Sequence, residues 1–206
     1  MNASPFVDID ALLFDLGGVL IEIDWRRAFS VWAENSATTA EAIAARFSFD
    51  SAYTAHERGE IGTAAYFASL RRTLGIELSD GQFLAGWNAI FVGEVAGARE
   101  LIAAAAARRP LYLFSNTCEA HREHWIPRFE ELLRPFTRRF LSCEIGLRKP
   151  DPKAFAHVAR AIGLAPQRIA FFDDTAENVA GAARAGFTAY QVRSAAELAA
   201  ALRLSS

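Results

Sequence analysis

The residues in this sequence with chemistry to offer are aspartates that close apolar runs and a lysine that follows one. Asp15 ends Leu12-Leu13-Phe14, Asp173-Asp174 end Ile169-Ala170-Phe171-Phe172, and Ser115-Asn116-Thr117 end Leu111-Tyr112-Leu113-Phe114. Lys149 follows a further apolar stretch after a short loop. A charge at the end of a buried strand costs free energy unless a partner compensates it. Adjacent carboxylates add to that cost, because they repel unless a cation or hydrogen-bond donors stand between them. Together these residue types meet the needs of phosphoryl transfer: a nucleophile, positive charge against the transferring oxygens, and donors aimed at them. Asp15 is the candidate nucleophile, forming an aspartyl-phosphate, and Lys149 the point charge facing both it and the phosphate. Ser115 and Asn116, near a helix start, suit the phosphate oxygens. Asp15 with Asp173 and Asp174 could supply the oxygen ligands of Mg²⁺. Gly17 and Gly18 let the backbone turn close to whatever Asp15 holds.

These clusters converge only if the elements beneath them lie side by side. Apolar runs at Ala11 to Phe14, Leu111 to Phe114, Arg139 to Ile145, Ile169 to Phe172 and Phe187 to Val192 read as strands. Helical patterns separate them from Val95 onward: Val95 to Arg108, Ala120 to Leu133 in pieces with an interruption at Pro127, Pro152 to Ile162, a helix through Ala185, and a last one ending near Leu204. Alternation of this kind predicts an α/β fold with a Rossmann-like parallel sheet covered on both faces, which gathers all the strand ends on one edge. Between Asp24 and Phe91 the pattern is helical without a convincing strand, over Asp24 to Trp32, Ala40 to Phe47, Gly62 to Leu74 and Ser79 to Ile90. It reads as a small all-helical insertion after the first strand.

Bulk properties narrow the function classes. Hydrophobic residues make up 52% of the 206 and charged residues 22%, with a formal net charge of −2. That composition describes a soluble globular protein and gives no electrostatic case for a nucleic acid or an anionic membrane as partner. The apolar run Leu101 to Ala107 stops at Arg108-Arg109, too short to span a bilayer. Met1 to Asp10 carries two acids and no base, unlike a signal peptide. With only Cys118 and Cys143 there is no disulfide framework or thiolate metal cluster, so a cytoplasmic setting is expected.

Four segments then carry a specific resemblance. Phe14-Asp15-Leu16-Gly17-Gly18-Val19-Leu20, Phe114-Ser115-Asn116-Thr117, Gly146-Leu147-Arg148-Lys149-Pro150 and Phe171-Phe172-Asp173-Asp174-Thr175-Ala176-Glu177-Asn178 resemble, in order, the four motifs of the haloacid dehalogenase superfamily. The resemblance implies a core of residues 1–21 and 95–206 and a helical cap domain of residues 22–94. It implies that the Gly17 carbonyl joins Asp15 and Asp174 around Mg²⁺, with Asp173 and Asn178 acting mainly behind the metal ligands. The glycine after the nucleophile, His56-Glu57-Arg58-Gly59-Glu60 and Phe172-Asp173-Asp174 are similar to a sugar-phosphatase subgroup acting on α-glucose 1-phosphate. The expected partner is therefore a small phosphorylated metabolite.

Gly17 is also a departure. Most phosphatases of the superfamily carry a second aspartate there as general acid and base, help worth roughly 10²–10⁴-fold. A leaving group that needs little protonation, such as an anomeric sugar phosphate, would tolerate the loss; Asp24 or His56 could also substitute. The alternatives are a 2-haloacid dehalogenase, which needs no cation, and an impaired phosphate-binding module. In the insertion, Trp25, Trp32 and Trp87 read as core, with Trp25 the first candidate for substrate contact. His56-Glu57-Arg58 reads as a solvated turn or, alternatively, as a substrate contact, with His56 the candidate binding residue. His121 and His124, after the serine-asparagine cluster, read as exposed or, alternatively, as facing the cleft, and Cys118 as buried.

Overall fold

The protein, described by a computed structural model over residues 8–202, follows the predicted alternation. Strand β1 (Ala11–Phe14) leads through β2 (Ile21–Ile23) into helices α1 (Trp25–Glu34), α2 (Ala40–Arg46), α3 (Ser51–Glu57), α4 (Thr63–Leu74) and α5 (Asp80–Ala89), and the chain returns along β3 (Phe91–Glu94). There follow α6 (Ala98–Ala106), β4 (Leu111–Ser115), α7 (Glu119–Arg128), α8 (Glu130–Leu133), β5 (Phe136–Leu141), α9 (Ser142–Ile145), α10 (Pro152–Ile162), β6 (Ile169–Asp173), α11 (Ala176–Arg184), β7 (Thr188–Gln191) and α12 (Ala195–Leu202). The main sheet has the order β5-β4-β1-β6-β7 with every pairing parallel. Among the described residues no helix is long and apolar enough to cross a membrane.

The two-residue period of a strand explains the layers. From β1, Leu12 and Phe14 enter one hydrophobic cluster while Ala11 and Leu13 enter the other; from β6, Ala170 and Phe172 part from Ile169 and Phe171 in the same way. Helices cover both faces, so the central strands are apolar throughout. Register does the positioning. Phe14 pairs with both Leu113 and Phe172, which brings the residues that follow, Asp15, Phe114 and Asp173, to one edge.

Several elements differ from the sequence expectation, among them α3, a helix in a segment for which no helix is expected. The strand expected over Arg139 to Ile145 begins at Phe136 and ends at Leu141, because its partner β4 ends at Ser115, paired with Leu141. Ser142 then turns away to exchange hydrogen bonds with the Thr117 backbone, its Oγ accepting from N–H at 2.8 Å and donating to the carbonyl at 2.9 Å. Pro127 does not interrupt α7 but lies in its last turn, and the break falls at Phe129. The helical insertion does contain strands: β2 and β3 pair antiparallel as a two-stranded neck, too short to register as strands by pattern. The expected end of the last helix at Leu204 lies outside the described residues.

The insertion is built on aromatic rings. Trp32, Phe83 and Trp87 are buried, Trp32 Nε1 donates to the Phe83 carbonyl at 3.0 Å, and Tyr66 and Phe67 pack beside them. Burying each such side chain contributes roughly 2–3 kcal/mol. This cluster is continuous with one face of the sheet. Across the join, the Trp87 ring stacks on His121 of α7 at 4.6 Å.

A second join lies where the turn after α3 meets α9. Gly59 has φ +69°, and a Cβ there would stand 2.5 Å from the Cys143 carbonyl oxygen. Gly59→Ala is therefore expected to lower the unfolding free energy by about 2 kcal/mol, from the left-handed backbone and the forced separation together. The urea midpoint reads this, and an unchanged midpoint would show that the turn does not depend on its approach to α9.

Candidate active site

At the shared edge of β1 and β6 the Lys149 ammonium, 1% exposed, lies 2.8 Å from Asp15 Oδ1 and 2.6 Å from Asp173 Oδ2. The rings of Phe114 and Phe171 face it at 5.3 and 5.4 Å. Burial alone would lower the lysine pKa, but Asp15 and Asp173 hold it above its ordinary value, so the ammonium stays charged. Asn116 fixes the lysine's backbone: its Nδ2 donates to the Lys149 carbonyl and its Oδ1 accepts from the Lys149 N–H, each at 2.9 Å. That is a different use of the Asn116 side chain from the phosphate contact expected of it. Asp15 Oδ1 also accepts from the Leu16 N–H at 2.7 Å.

The three aspartates form the group whose oxygens lie within 4.8 Å of one another. Burial drives the Asp15 carboxyl up to about 7, with Asp173 and Asp174 adding and Lys149 opposing. Burial and Asp173 likewise raise Asp174. One lysine leaves this cluster short of positive charge, and an all-oxygen donor set suits a hard divalent cation, so Mg²⁺ fits. The aspartates are not equivalent. Asp173 is fully buried, and Lys149, the Thr175 N–H and Asn178 Nδ2 already donate to its two oxygens. Asp174 lines the cleft, and its Oδ1 accepts from Thr175 Oγ1 at 3.2 Å. Gly18, at φ +74°, makes room for it, since a Cβ there would stand 2.3 Å from Asp174 Oδ2.

These residues open into a cleft of about 660 Å³. Asp15, Gly17, Ser115, Asn116, Lys149, Asp174 and Asn178 line it, and Asp173 lies behind. Ser115, Asn116 and Thr117 lead into the N-terminus of α7, whose free N–H groups favour an anion. The insertion supplies the opposite wall through Trp25, Phe49, Tyr53 and Glu57.

Several expectations are corrected here. His56 is not in the cleft: it is 2% exposed, its Nδ1 lies 3.1 Å from the Ile61 carbonyl, and its ring stacks on Tyr66 at 4.6 Å. Its place as the second residue from the end of α3 turns it toward the packed interior. Asp24 is also elsewhere, capping α1 through the Arg26 N–H and paired with the Arg26 guanidinium. His121 is buried and lines the cleft, and His124 is half-buried. The turn reading fails for Glu57, which is 5% exposed, accepts from Tyr53 Oη at 2.8 Å and pairs with Arg148 at 2.8 Å. Its neighbour Arg58 is the solvated partner of Glu60. Arg148, Tyr53 and Phe49 are cleft residues that the sequence does not single out, whereas Glu57 belongs to a segment that it does and His121 takes the cleft-facing position that was its alternative to exposure. The signal lay in adjacency, since Arg148 precedes Lys149 and Glu57 sits in the singled-out His56 to Glu60 segment.

An α/β fold whose central strand ends in a lysine-paired carboxylate, beside three aspartates that could hold a cation, is the framework of a class of hydrolases. Residues 9–186 match the haloacid dehalogenase-like hydrolases, and the chain belongs to that family. It is 23% identical over 195 residues to the D-ribitol-5-phosphate phosphatase of Bacteroides thetaiotaomicron, covering 92% of this chain and 94% of that one. A phosphatase of Mycobacterium tuberculosis is 48% identical over 48 residues, and that match spans 22% of its length. Among solved structures, a family enzyme from B. thetaiotaomicron in complex with magnesium and inorganic phosphate superposes with a TM-score of 0.78 at 28% identity, covering 91% of this chain and 96% of that one.

His121 carries a pH consequence. Its Nε2 lies 2.9 Å from the Trp87 carbonyl, and burial holds its pKa down to about 3 against an ordinary 6.5. The unfolded chain takes up a proton below 6.5 that the folded one refuses, so this residue costs stability increasingly as pH falls from about 6.5 toward 3. His121→Gln, which keeps a donor for the carbonyl, is expected to lose less stability over that interval than the wild type. Parallel unfolding curves would assign the acid sensitivity to other groups.

Proposed function

We propose that the protein is a Mg²⁺-dependent phosphomonoesterase acting on a small sugar phosphate, with an anomeric phosphate such as that of glucose 1-phosphate as the preferred class. The observation that carries this reading is the Lys149 ammonium bridging Asp15 and Asp173 beside a three-carboxylate pocket. Carbon–halogen cleavage has no use for such a pocket. The relatives with phosphatase names support the reaction class. In this reading residues 1–21 and 95–206 form the catalytic core and residues 22–94 a cap that closes over the substrate.

Asp15 is held through Oδ1 by Lys149 and the Leu16 N–H, which leaves Oδ2 to attack phosphorus. As the Asp15 Oδ2–P bond forms, the ester P–O bond breaks and the leaving oxygen departs with its electron pair. Lys149, Ser115 and the N–H groups at the start of α7 face the phosphoryl oxygens and offset their charge. Water then attacks phosphorus, the Asp15 Oδ2–P bond breaks and restores the carboxylate, and the proton that water loses goes to the departed oxygen, so the free alcohol and inorganic phosphate are released. Asp15, Asp174 and the Gly17 carbonyl would hold Mg²⁺, with Asp173 and Asn178 orienting them; the cation supplies charge neutralisation at the phosphate. Gly17 cannot protonate the departing oxygen. The chemistry therefore favours leaving groups that are stable as anions, and the anomeric oxygen of a sugar is better in this respect than a simple alkoxide.

Phosphate release from glucose 1-phosphate in the presence of Mg²⁺ should fall to background in Asp15→Asn and in wild type with excess EDTA. Across esters of rising leaving-group basicity the wild-type rate should drop steeply, by as much as about 10²–10⁴-fold, the value of missing acid catalysis. Equal release by Asp15→Asn would overturn the mechanism, and a flat dependence would show that another group supplies the proton.

A further inference from the structure

One ion pair in the cleft is not used by the chemistry above. Arg148 side-chain nitrogens Nε and Nη2 each lie 2.8 Å from Glu57 Oε2, while Glu57 Oε1 accepts from Tyr53 Oη at 2.8 Å. Both partners line the cleft, one from the insertion and one from the loop that carries Lys149. The Glu57 side chain is 6% exposed and the Arg148 side chain 26% exposed. A pair this withdrawn from water carries a desolvation cost that a solvated surface pair avoids, so stability alone does not account for it. Among the described residues Nη1 of Arg148 has no hydrogen-bond partner, and the partly exposed guanidinium, fixed by Glu57, keeps that donor free for a ligand in the cleft.

We infer that Arg148, held in place by Glu57, is a specificity-determining residue that donates to a hydroxyl oxygen of the substrate beyond its phosphate, and that Glu57 makes this end of the cleft select against a second anionic group. The inference rests on the phosphomonoesterase reading above. Its charge argument is local. Asp15, Asp174, Glu57 and Glu177 line the cleft against only Lys149 and Arg148. A divalent cation and a phosphate dianion bring no surplus positive charge, and the one distal cation is already neutralised by Glu57. A carboxylate or second phosphate on the substrate would meet Glu57 without a free counter-ion, whereas a hydroxyl accepts from Nη1 at no charge cost. The neighbouring wall of Trp25, Phe49 and Tyr53 offers apolar faces to the C–H surface of the same group, and Phe49 is 60% exposed. A short polyhydroxylated chain or ring fits both features.

Glucose 1-phosphate and glucuronic acid 1-phosphate test this, because they share the anomeric phosphate and differ by a hydroxymethyl against a carboxylate. Phenyl phosphate serves as the ester without hydroxyls. In the wild type kcat/KM should favour glucose 1-phosphate over glucuronic acid 1-phosphate by about tenfold or more, the scale of one unpaired charge at a partly solvated site. Glu57→Gln keeps the shape, frees the Arg148 charge and should narrow that preference by about tenfold. Arg148→Lys should lower kcat/KM for glucose 1-phosphate relative to phenyl phosphate by about tenfold, mostly through KM, since one charged hydrogen bond is lost. A thermal melt on each variant separates these ratios from misfolding. If Arg148→Lys does not fold, the wild-type preference and its narrowing in Glu57→Gln decide the question alone. Ratios that stay within twofold of wild type in both variants would overturn the inference and leave the phosphatase reading standing. Absence of Asp15-dependent release from all three esters would overturn that reading and this one with it.

Discussion

A lysine ammonium almost fully removed from water is the constraint on which the rest of this structure depends. Unpaired, such a charge costs several kcal/mol even after the protein relaxes around it. Asp15 and Asp173 compensate it directly, and the faces of Phe114 and Phe171 close around it. Those partners come from β1, β4 and β6, three adjacent strands whose registers must agree for their ends to meet. Asn116, one residue beyond β4, holds the lysine's own backbone from both sides. Parallel pairing, strand length and the loop before Pro150 are thus bound to one another through a single cation.

The same arrangement explains why the carboxylate-rich half of the cleft is legible in the sequence. Asp15, Ser115, Lys149 and Asp174 each follow an apolar run directly or after a short loop, and a parallel sheet places all such positions at one edge. The helical patterns that begin at Asp24 and Ser79 are likewise local, and each of those two residues caps the helix that follows, α1 and α5. Boundaries that depend on a partner were not legible. β5 stops at Leu141 because β4 stops at Ser115, and β2 and β3 exist only because they find each other across the whole insertion.

The opposite wall was legible only in part, for a physical reason. Trp25 is a candidate because it stands at the start of the insertion, nearest the linker in sequence, but Glu57 and His56 are neighbours on α3 with opposite fates. One reaches Arg148 in the cleft, and the other packs on Tyr66 behind it. Which of two adjacent polar residues faces a cleft depends on how a helix is rotated against another segment 91 residues away. No periodicity within a seven-residue helix records that rotation.

The antiparallel neck divides the molecule in a way that bears on its history. The chain leaves the core along β2 and comes back along β3, with Ile21 opposite Glu94, so the two ends of the helical segment emerge side by side. No hydrogen bond of the five-stranded sheet passes through that segment. Its length, its helices and its cleft-facing residues can therefore be exchanged in evolution while Asp15, Lys149 and Asp174 stay where the core puts them. On the function proposed above, a chain built in this way can change what it recognises faster than it changes what it does.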